Sequence, residues 1–327
     1  MPLQFDMPLE QLHSYQGTNP RPGDFDAFWD RALREVKMVD PQVDLQPAVF
    51  QTSCADCFHL RFTGTGGARV HAKFLKPKQL SGPKPAVLMF HGYGGSSGDW
   101  SDKLGYVANG MIVAALDCRG QGGLSEDRGG AAGTTYGGHI IRGLDDTPDR
   151  LLFRQIFLDT AQLARVVMEM SEVDQTRVAA IGGSQGGGLA LVCAALEPRI
   201  KCAAALHPFL SDYKRVWEID LAADAYYELQ EYFKQFDPLH EREDQIFEKL
   251  GYIDVQHLCP RIQAEVLLGV CLMDTVCPPS TQFAAYNKIT SKKNLLLYPD
   301  YGHEMPPGYP DKVFRFLEMN LTGGSTS

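Results

Sequence analysis

The sequence predicts an α/β architecture: a doubly wound, mostly parallel sheet with helices on both faces and a helical segment inserted late in the chain. Three observations lead there. Short runs apolar at every position (Ala86 to Phe90, Ile112 to Leu116, Val178 to Ile181, Cys202 to Leu206, Val266 to Cys271 and Leu295 to Leu297) read as strands buried on both faces, as a parallel sheet requires. Helical patterns lie between them, the clearest from Leu151 to Met170, where Leu152, Ile156, Leu163, Val167 and Met170 share a face. Finally, Val178 to Ile181 runs into Gly182-Gly183-Ser184-Gln185-Gly186-Gly187-Gly188 and then into Leu189 to Leu196, a strand, a sharp turn and a helix.

Taken in order, the first 23 residues are rich in Pro and Gly and are expected to wrap over the surface. Asp24 offers an N-cap to a helix bearing Phe25, Phe28, Trp29, Ala32, Leu33 and Val36 on one face. His59 to Thr63, Gly64 to Gly67 and Arg69 to Phe74 form an expected antiparallel hairpin, with His59 and His71 on its polar faces. The Gly-rich stretch from Gly120 to Gly143 breaks the alternation and is expected as a long loop near the strand ends, where α/β proteins place ligands. The segment from Asp212 to His257, rich in aromatics and charge, reads as helices inserted between two strands. The expected organisation is therefore one domain over 1–327, with a wrapping segment at 1–45, a helical insertion at about 212–258 and a polar tail from Thr322.

Composition narrows the partners. Hydrophobic residues at 44%, charged residues at 22% and a net charge of -9 describe an ordinary globular protein and argue against a nucleic-acid or anionic-membrane surface. Neither a basic start followed by an apolar run nor 18 successive apolar residues occurs, so a cytoplasmic location is expected. Eight scattered cysteines suit that compartment. The Cys54-x-x-Cys57 pair has no second pair at zinc spacing and is expected on a surface strand or loop. No metal and no cofactor is expected.

The chemistry rests on the glycine-flanked serine. Gly182, Ser184 and Gly186 fit the G-x-S-x-G elbow, whose turn is too tight for side chains beside a serine held in a strained conformation. Alone, the pattern also fits a structural turn or a phosphate cradle. A serine hydroxyl needs a general base, and that base needs a partner to fix its tautomer. Asp274 and His303 follow the last two predicted strands in the order serine, acid, histidine of an α/β-hydrolase. Asp300 and Asp254 compete for the acid. The N–H groups of Gln185, after the nucleophile, and of Tyr93, in His91-Gly92-Tyr93-Gly94-Gly95 after an early strand, are the expected oxyanion donors.

These residues carry a resemblance. Arg119-Gly120-Gln121, Gly182-Gly183-Ser184-Gln185-Gly186 and His303-Glu304 match the R-G-Q, G-x-S-Q-G and H-E motifs of the acetyl xylan esterase / cephalosporin C deacetylase family of α/β-hydrolases. Further similarities lie at Phe25 to Trp29, His91-Gly92-Tyr93, Gly138 to Gly143, Phe157-Leu158-Asp159 and His207-Pro208-Phe209-Leu210, so the resemblance spans nearly the whole chain. It implies Ser184, Asp274 and His303 as the triad, Tyr93 and Gln185 at the oxyanion hole, and Arg119, Gln121 and Glu304 in support, with Arg119 and Glu304 positioning the histidine loop. It also implies deacetylation of small acetylated sugars and of cephalosporin C in a homohexamer. A peptidase of the same fold and a noncatalytic hydrolase-like binding protein are the competing functions.

Overall fold

A computed structural model describes residues 5–131 and 138–323. Among the described residues nine strands form one sheet: β1 (Asp44–Pro47), β2 (Ala55–Thr63), β3 (Arg69–Pro77), β4 (Lys84–Phe90), β5 (Ile112–Leu116), β6 (Val173–Gly183), β7 (Cys202–Leu206), β8 (Glu265–Cys271) and β9 (Lys293–Tyr298). Their spatial order is β1-β2-β3-β5-β4-β6-β7-β8-β9. The first three pair antiparallel, β3 joins β5 antiparallel, and every later pairing is parallel. The expected hairpin is β2–β3, in register from Ala55↔Pro77 to Thr63↔Arg69.

The continuous apolar runs acquire their meaning from the pleat. Successive side chains alternate faces, so Ala180, Ala203, Ala205, Leu268 and Val270 enter one core while Ala179, Ala204, Leu206, Leu267 and Cys271 enter the other. Both faces must then be covered by helices. The eleven described α-helices are α1 (Leu9–Leu12), α2 (Phe25–Met38), α3 (Leu104–Ala108), α4 (Leu152–Met168), α5 (Gln185–Leu196), α6 (Tyr213–Glu218), α7 (Tyr227–Phe236), α8 (Glu243–Leu250), α9 (Val255–Leu258), α10 (Pro279–Lys288) and α11 (Tyr309–Leu317). Tyr309, Val313, Phe316 and Leu317 of α11 cover the second core, whereas α4 and α5 fill the first. No described helix is long and apolar enough to cross a membrane.

Helix α5 is buried at all twelve positions, which explains its three consecutive glycines. A Cβ on Gly186 would overlap the Phe90 carbonyl, one on Gly187 the Leu206 carbonyl and one on Gly188 the Phe209 carbonyl. The helix therefore lies against the backbone at the ends of β4 and β7, and its N-terminus is pinned at the carboxyl edge of the sheet.

The segment between β7 and β8 holds α6 to α9, and it meets the N-terminal residues. Asp212 accepts hydrogen bonds from Tyr15 Oη at 2.7 Å and from the backbone of Thr18 and Asn19 at 2.9 and 2.8 Å. Trp29 of α2 donates to the Tyr252 carbonyl at 3.0 Å and stacks on Phe157 of α4.

Several expectations need correction. Asp24 does not cap α2 with its side chain, which instead accepts the Tyr252 hydroxyl. His71 is not on a polar face but buried, because β3 lies between β2 and β5 and Asp117, just beyond β5, reaches its ring. Of the two cysteines expected at the surface, Cys54 is exposed but Cys57 is buried in β2. Residues 132–137 of the expected Gly-rich loop and 324–327 of the expected tail lie outside the described residues, and Thr322 closes a π-helical turn from Glu318.

Candidate active site

At the end of β6 the chain turns through Ser184, whose φ of 57° and ψ of -124° lie in a region that L-residues rarely occupy. The strain is held by the surroundings. Ser184 N–H donates to the Leu206 carbonyl at 3.0 Å, and its carbonyl accepts from Phe209 and Gly188, each at 3.0 Å. A Cβ on Gly182 would overlap the Gly186 backbone, so both flanking glycines are required by close approach.

His303 follows β9, and its Nε2 stands 3.0 Å from Ser184 Oγ. Its Nδ1 donates to Asp274 Oδ2 at 2.8 Å. Asp274, past the end of β8, is fully buried, and its Oδ1 accepts from the backbone of Val276 at 2.9 Å and Cys277 at 2.8 Å. The carboxylate on the histidine is thus that of Asp274. Asp300 is exposed, and Asp254 is buried elsewhere, accepting from the backbone of Asp212 and Gln256.

Gln185 opens α5, so its N–H has no acceptor within the helix. Among the described residues the Tyr93 N–H meets no acceptor either. The segment carrying Tyr93 is fastened to α5 by two glutamines: Gln121 Oε1 accepts from Gly94 N–H at 2.9 Å, Gln121 Nε2 donates to Gln185 Oε1 at 2.8 Å, and Gln185 Nε2 reaches the His91 carbonyl at 3.3 Å. His91 accepts the Cys118 N–H on Nε2 at 3.0 Å, and burial keeps its ring below the ordinary histidine pKa.

The two remaining support residues do not act together. Arg119 is buried and makes a two-pronged pair with Asp159 of α4 at 2.5 and 2.6 Å, while also donating to the Thr65 carbonyl at 2.9 Å. Glu304 is exposed, and among the described residues its side chain accepts only the nearby Gly302 N–H, at 3.4 Å. Among the described residues neither Arg119 nor Glu304 bonds to His303; Arg119 ties the R-G-Q segment to α4.

Three groups escaped the sequence reading. His207, with φ 32°, packs its ring 4.3 Å from that of His303, and its Nδ1 lies 4.0 Å from Asp274 Oδ2. Burial, with the neighbouring His303, pushes its pKa down to about 3, so it stands neutral beside the histidine–carboxylate pair. Asp117 accepts from His71 Nδ1 at 2.6 Å, Ser97 N–H at 2.6 Å and Leu124 N–H at 2.9 Å. Burial raises its pKa, but those hydrogen bonds overcome the effect and hold it well below the carboxylate range. Glu228 of α7 accepts the Tyr93 hydroxyl. His207 stood in a quoted motif and gave a signal; Glu228 stood in none.

His207, Asp274 and His303 offer ligand atoms within 4.8 Å of one another, yet both ring nitrogens of His303 are already engaged, with Asp274 and with Ser184, and His207 Nδ1 lies 3.8 Å from Cys271 Sγ. The arrangement can do proton-coupled nucleophilic chemistry: a serine hydroxyl, an imidazole to take its proton, a carboxylate to fix the imidazole, and, next to the nucleophile, the Gln185 N–H that opens α5.

The model of the acetyl xylan esterase family matches residues 1–320. The chain belongs to the acetyl xylan esterase family. It is similar to acetyl xylan esterase 1 from Thermoanaerobacterium sp., with 59% identity and a TM-score of 0.94 over 96% of this chain and 98% of that one. It also resembles an acetyl xylan esterase from a Paenibacillus species, with 35% identity and a TM-score of 0.92 over 96% of this chain and 100% of the other. Acetyl esterase Axe7A of Xylanibacter ruminicola is 28% identical over 288 residues, 86% of this chain but 63% of that protein, so the chain spans under two thirds of this relative's length. The α/β-hydrolase fold is that of the family.

Proposed function

We propose that this member of the acetyl xylan esterase family is a serine esterase that removes acetyl groups from small acetylated carbohydrates, acetylated xylo-oligosaccharides above all, and from cephalosporin C. The observation that carries the reading is the unbroken chain from Ser184 Oγ through His303 to Asp274, at 3.0 and 2.8 Å, on a strained elbow.

In the proposed reaction His303 Nε2 takes the Ser184 proton as Oγ attacks the acetyl carbonyl. The tetrahedral oxyanion is held by the N–H groups of Gln185 and Tyr93. Asp274 supports the imidazolium without itself taking the proton. Collapse breaks the bond to the sugar oxygen, which leaves with the proton from Nε2, and Ser184 carries the acetyl group. Water then attacks that ester with His303 again as base, releasing acetate and restoring Oγ–H. No cofactor enters.

Labelling by a fluorophosphonate, paired with acetate release from acetylated sugars, cephalosporin C and a peptide ester, tests the reading. Ser184→Ala should abolish both labelling and turnover while remaining folded, because the elbow side chain is not part of the core. Retention of more than about a tenth of wild-type kcat in that variant would refute the nucleophile. The resemblance further supports a homohexamer acting on oligomers in preference to polymeric xylan, and a cytoplasmic location is proposed alongside it. Light scattering, cell fractionation and rates on polymer against oligomer test that part, and a monomer equally fast on polymer refutes it.

A further inference from the structure

Glu228 lies in the first turn of α7, within the inserted segment, and is only 8% exposed. A carboxylate removed from water has to be met by donors, and these donors come from elements distant in sequence. Oε1 accepts the Tyr93 hydroxyl, and Oε2 accepts the Ile141 N–H at 3.0 Å. The Tyr93 hydroxyl itself accepts the His139 N–H at 3.0 Å. Gly138, at φ 62°, leaves the carboxylate its space, because a Cβ there would overlap Glu228. The Tyr93 ring is closed in by His139 at 5.1 Å, Phe209 at 5.4 Å and Phe153 at 6.4 Å between centroids.

The residue clamped at its hydroxyl is the one whose backbone N–H meets no acceptor among the described residues and is assigned to the oxyanion in the proposed reaction. Tyr93 is therefore held at three points: by its ring tip through Glu228, by its ring faces, and by its backbone through the Gly94–Gln121 bond. We propose that Glu228 is a positioning residue for acyl transfer, clasping the Tyr93 side chain from the inserted segment so that the Tyr93 N–H stays aimed at the developing oxyanion. The inference rests on the oxyanion role given to Tyr93 above. Glu228 does not touch the reacting atoms and acts only through Tyr93. The leverage is large because losing one oxyanion donor costs about 10²- to 10³-fold in kcat, and a misplacement of about 1 Å can cost about 10²-fold.

Three variants test the clasp: Glu228→Leu, which removes both carboxyl oxygens; Tyr93→Phe, which removes one oxygen and keeps the backbone N–H; and the two combined. Each single change should lower kcat about 10- to 100-fold and move KM by less than about threefold, since the misaimed donor acts on charge present only in the transition state. The double variant should be no more than about twofold worse than the worse single, because both changes break one contact. Unchanged kcat in both singles, a rise in KM alone, or multiplicative losses in the double would overturn the clasp. Should Glu228→Leu fail to fold, Tyr93→Phe carries the test by itself. Ser184→Ala, assayed in parallel, separates the two levels: activity in that variant defeats the serine mechanism, whereas an inactive Ser184→Ala beside a fully active Tyr93→Phe defeats the clasp alone.

Discussion

Replacing Asp274 with Asn probes the carboxylate that faces His303. The side chain is fully buried, with Oδ1 accepting two backbone N–H groups and Oδ2 accepting His303 Nδ1. An asparagine keeps its carbonyl oxygen toward Val276 and Cys277, because the opposite orientation would point NH₂ at both of those donors. The NH₂ group then faces Nδ1 and donates to it, which moves the imidazole proton to Nε2, the atom 3.0 Å from Ser184 Oγ. A protonated Nε2 cannot accept the serine proton. Loss of the correct tautomer in a serine triad costs about 10⁴ in kcat, or roughly 5.4 kcal/mol at 1.36 kcal/mol per decade. Stability should fall far less, by about 0.5–1.5 kcal/mol, the net worth of an ordinary hydrogen bond. Initial rates on an acetyl ester, with urea denaturation of the same preparation, give both numbers. A folded variant within tenfold of wild-type kcat would refute the tautomer argument and remove Asp274 from the mechanism.

The other predictions follow from burial and chemistry. Arg119→Ala leaves Asp159 buried without its counter-charge and should destabilise the protein by about 3–5 kcal/mol in denaturant titrations; a loss below about 1 kcal/mol would mean water enters the site. Burial lifts the Glu228 carboxyl to about 7 against the backbone donors that pull it down, so the folded protein holds a proton that the unfolded chain releases near pH 4.5. That contribution is fully present below about pH 4.5 and is lost as pH rises through about 7. It amounts to at most roughly 3 kcal/mol. Stability of Glu228→Gln should accordingly vary less than wild type over that window, and parallel curves would contradict the assigned burial. Finally, excess EDTA should leave turnover intact, because the proposed route from Ser184 to His303 needs no metal; inhibition reversed by zinc would count against it.

What the sequence determined by itself was whatever is local or repeats at a fixed period. The runs at Ile112 to Leu116 and Cys202 to Leu206 became strands with those bounds, since a segment apolar at every position can be stable only where both faces are covered. The elbow at Ser184 was legible for a similar reason: a turn that brings Gly182 onto the backbone of Gly186 admits no side chain, and that demand is written as glycine within five residues. Asp274 and His303 could be ordered along the chain because each follows a recognisable strand.

Tertiary structure decided the pairings between distant surfaces. His71 alternates like an exposed strand residue, and its burial follows from the position of β3 inside the sheet and from Asp117 coming over its ring. Arg119 finds Asp159 forty positions later on α4, and Glu228 meets Tyr93 across 135 positions. Such contacts have no period and no fixed spacing, because each depends on how two separately stable elements dock. Local chemistry announces the need of a buried charge for a partner, but only the packed fold supplies one.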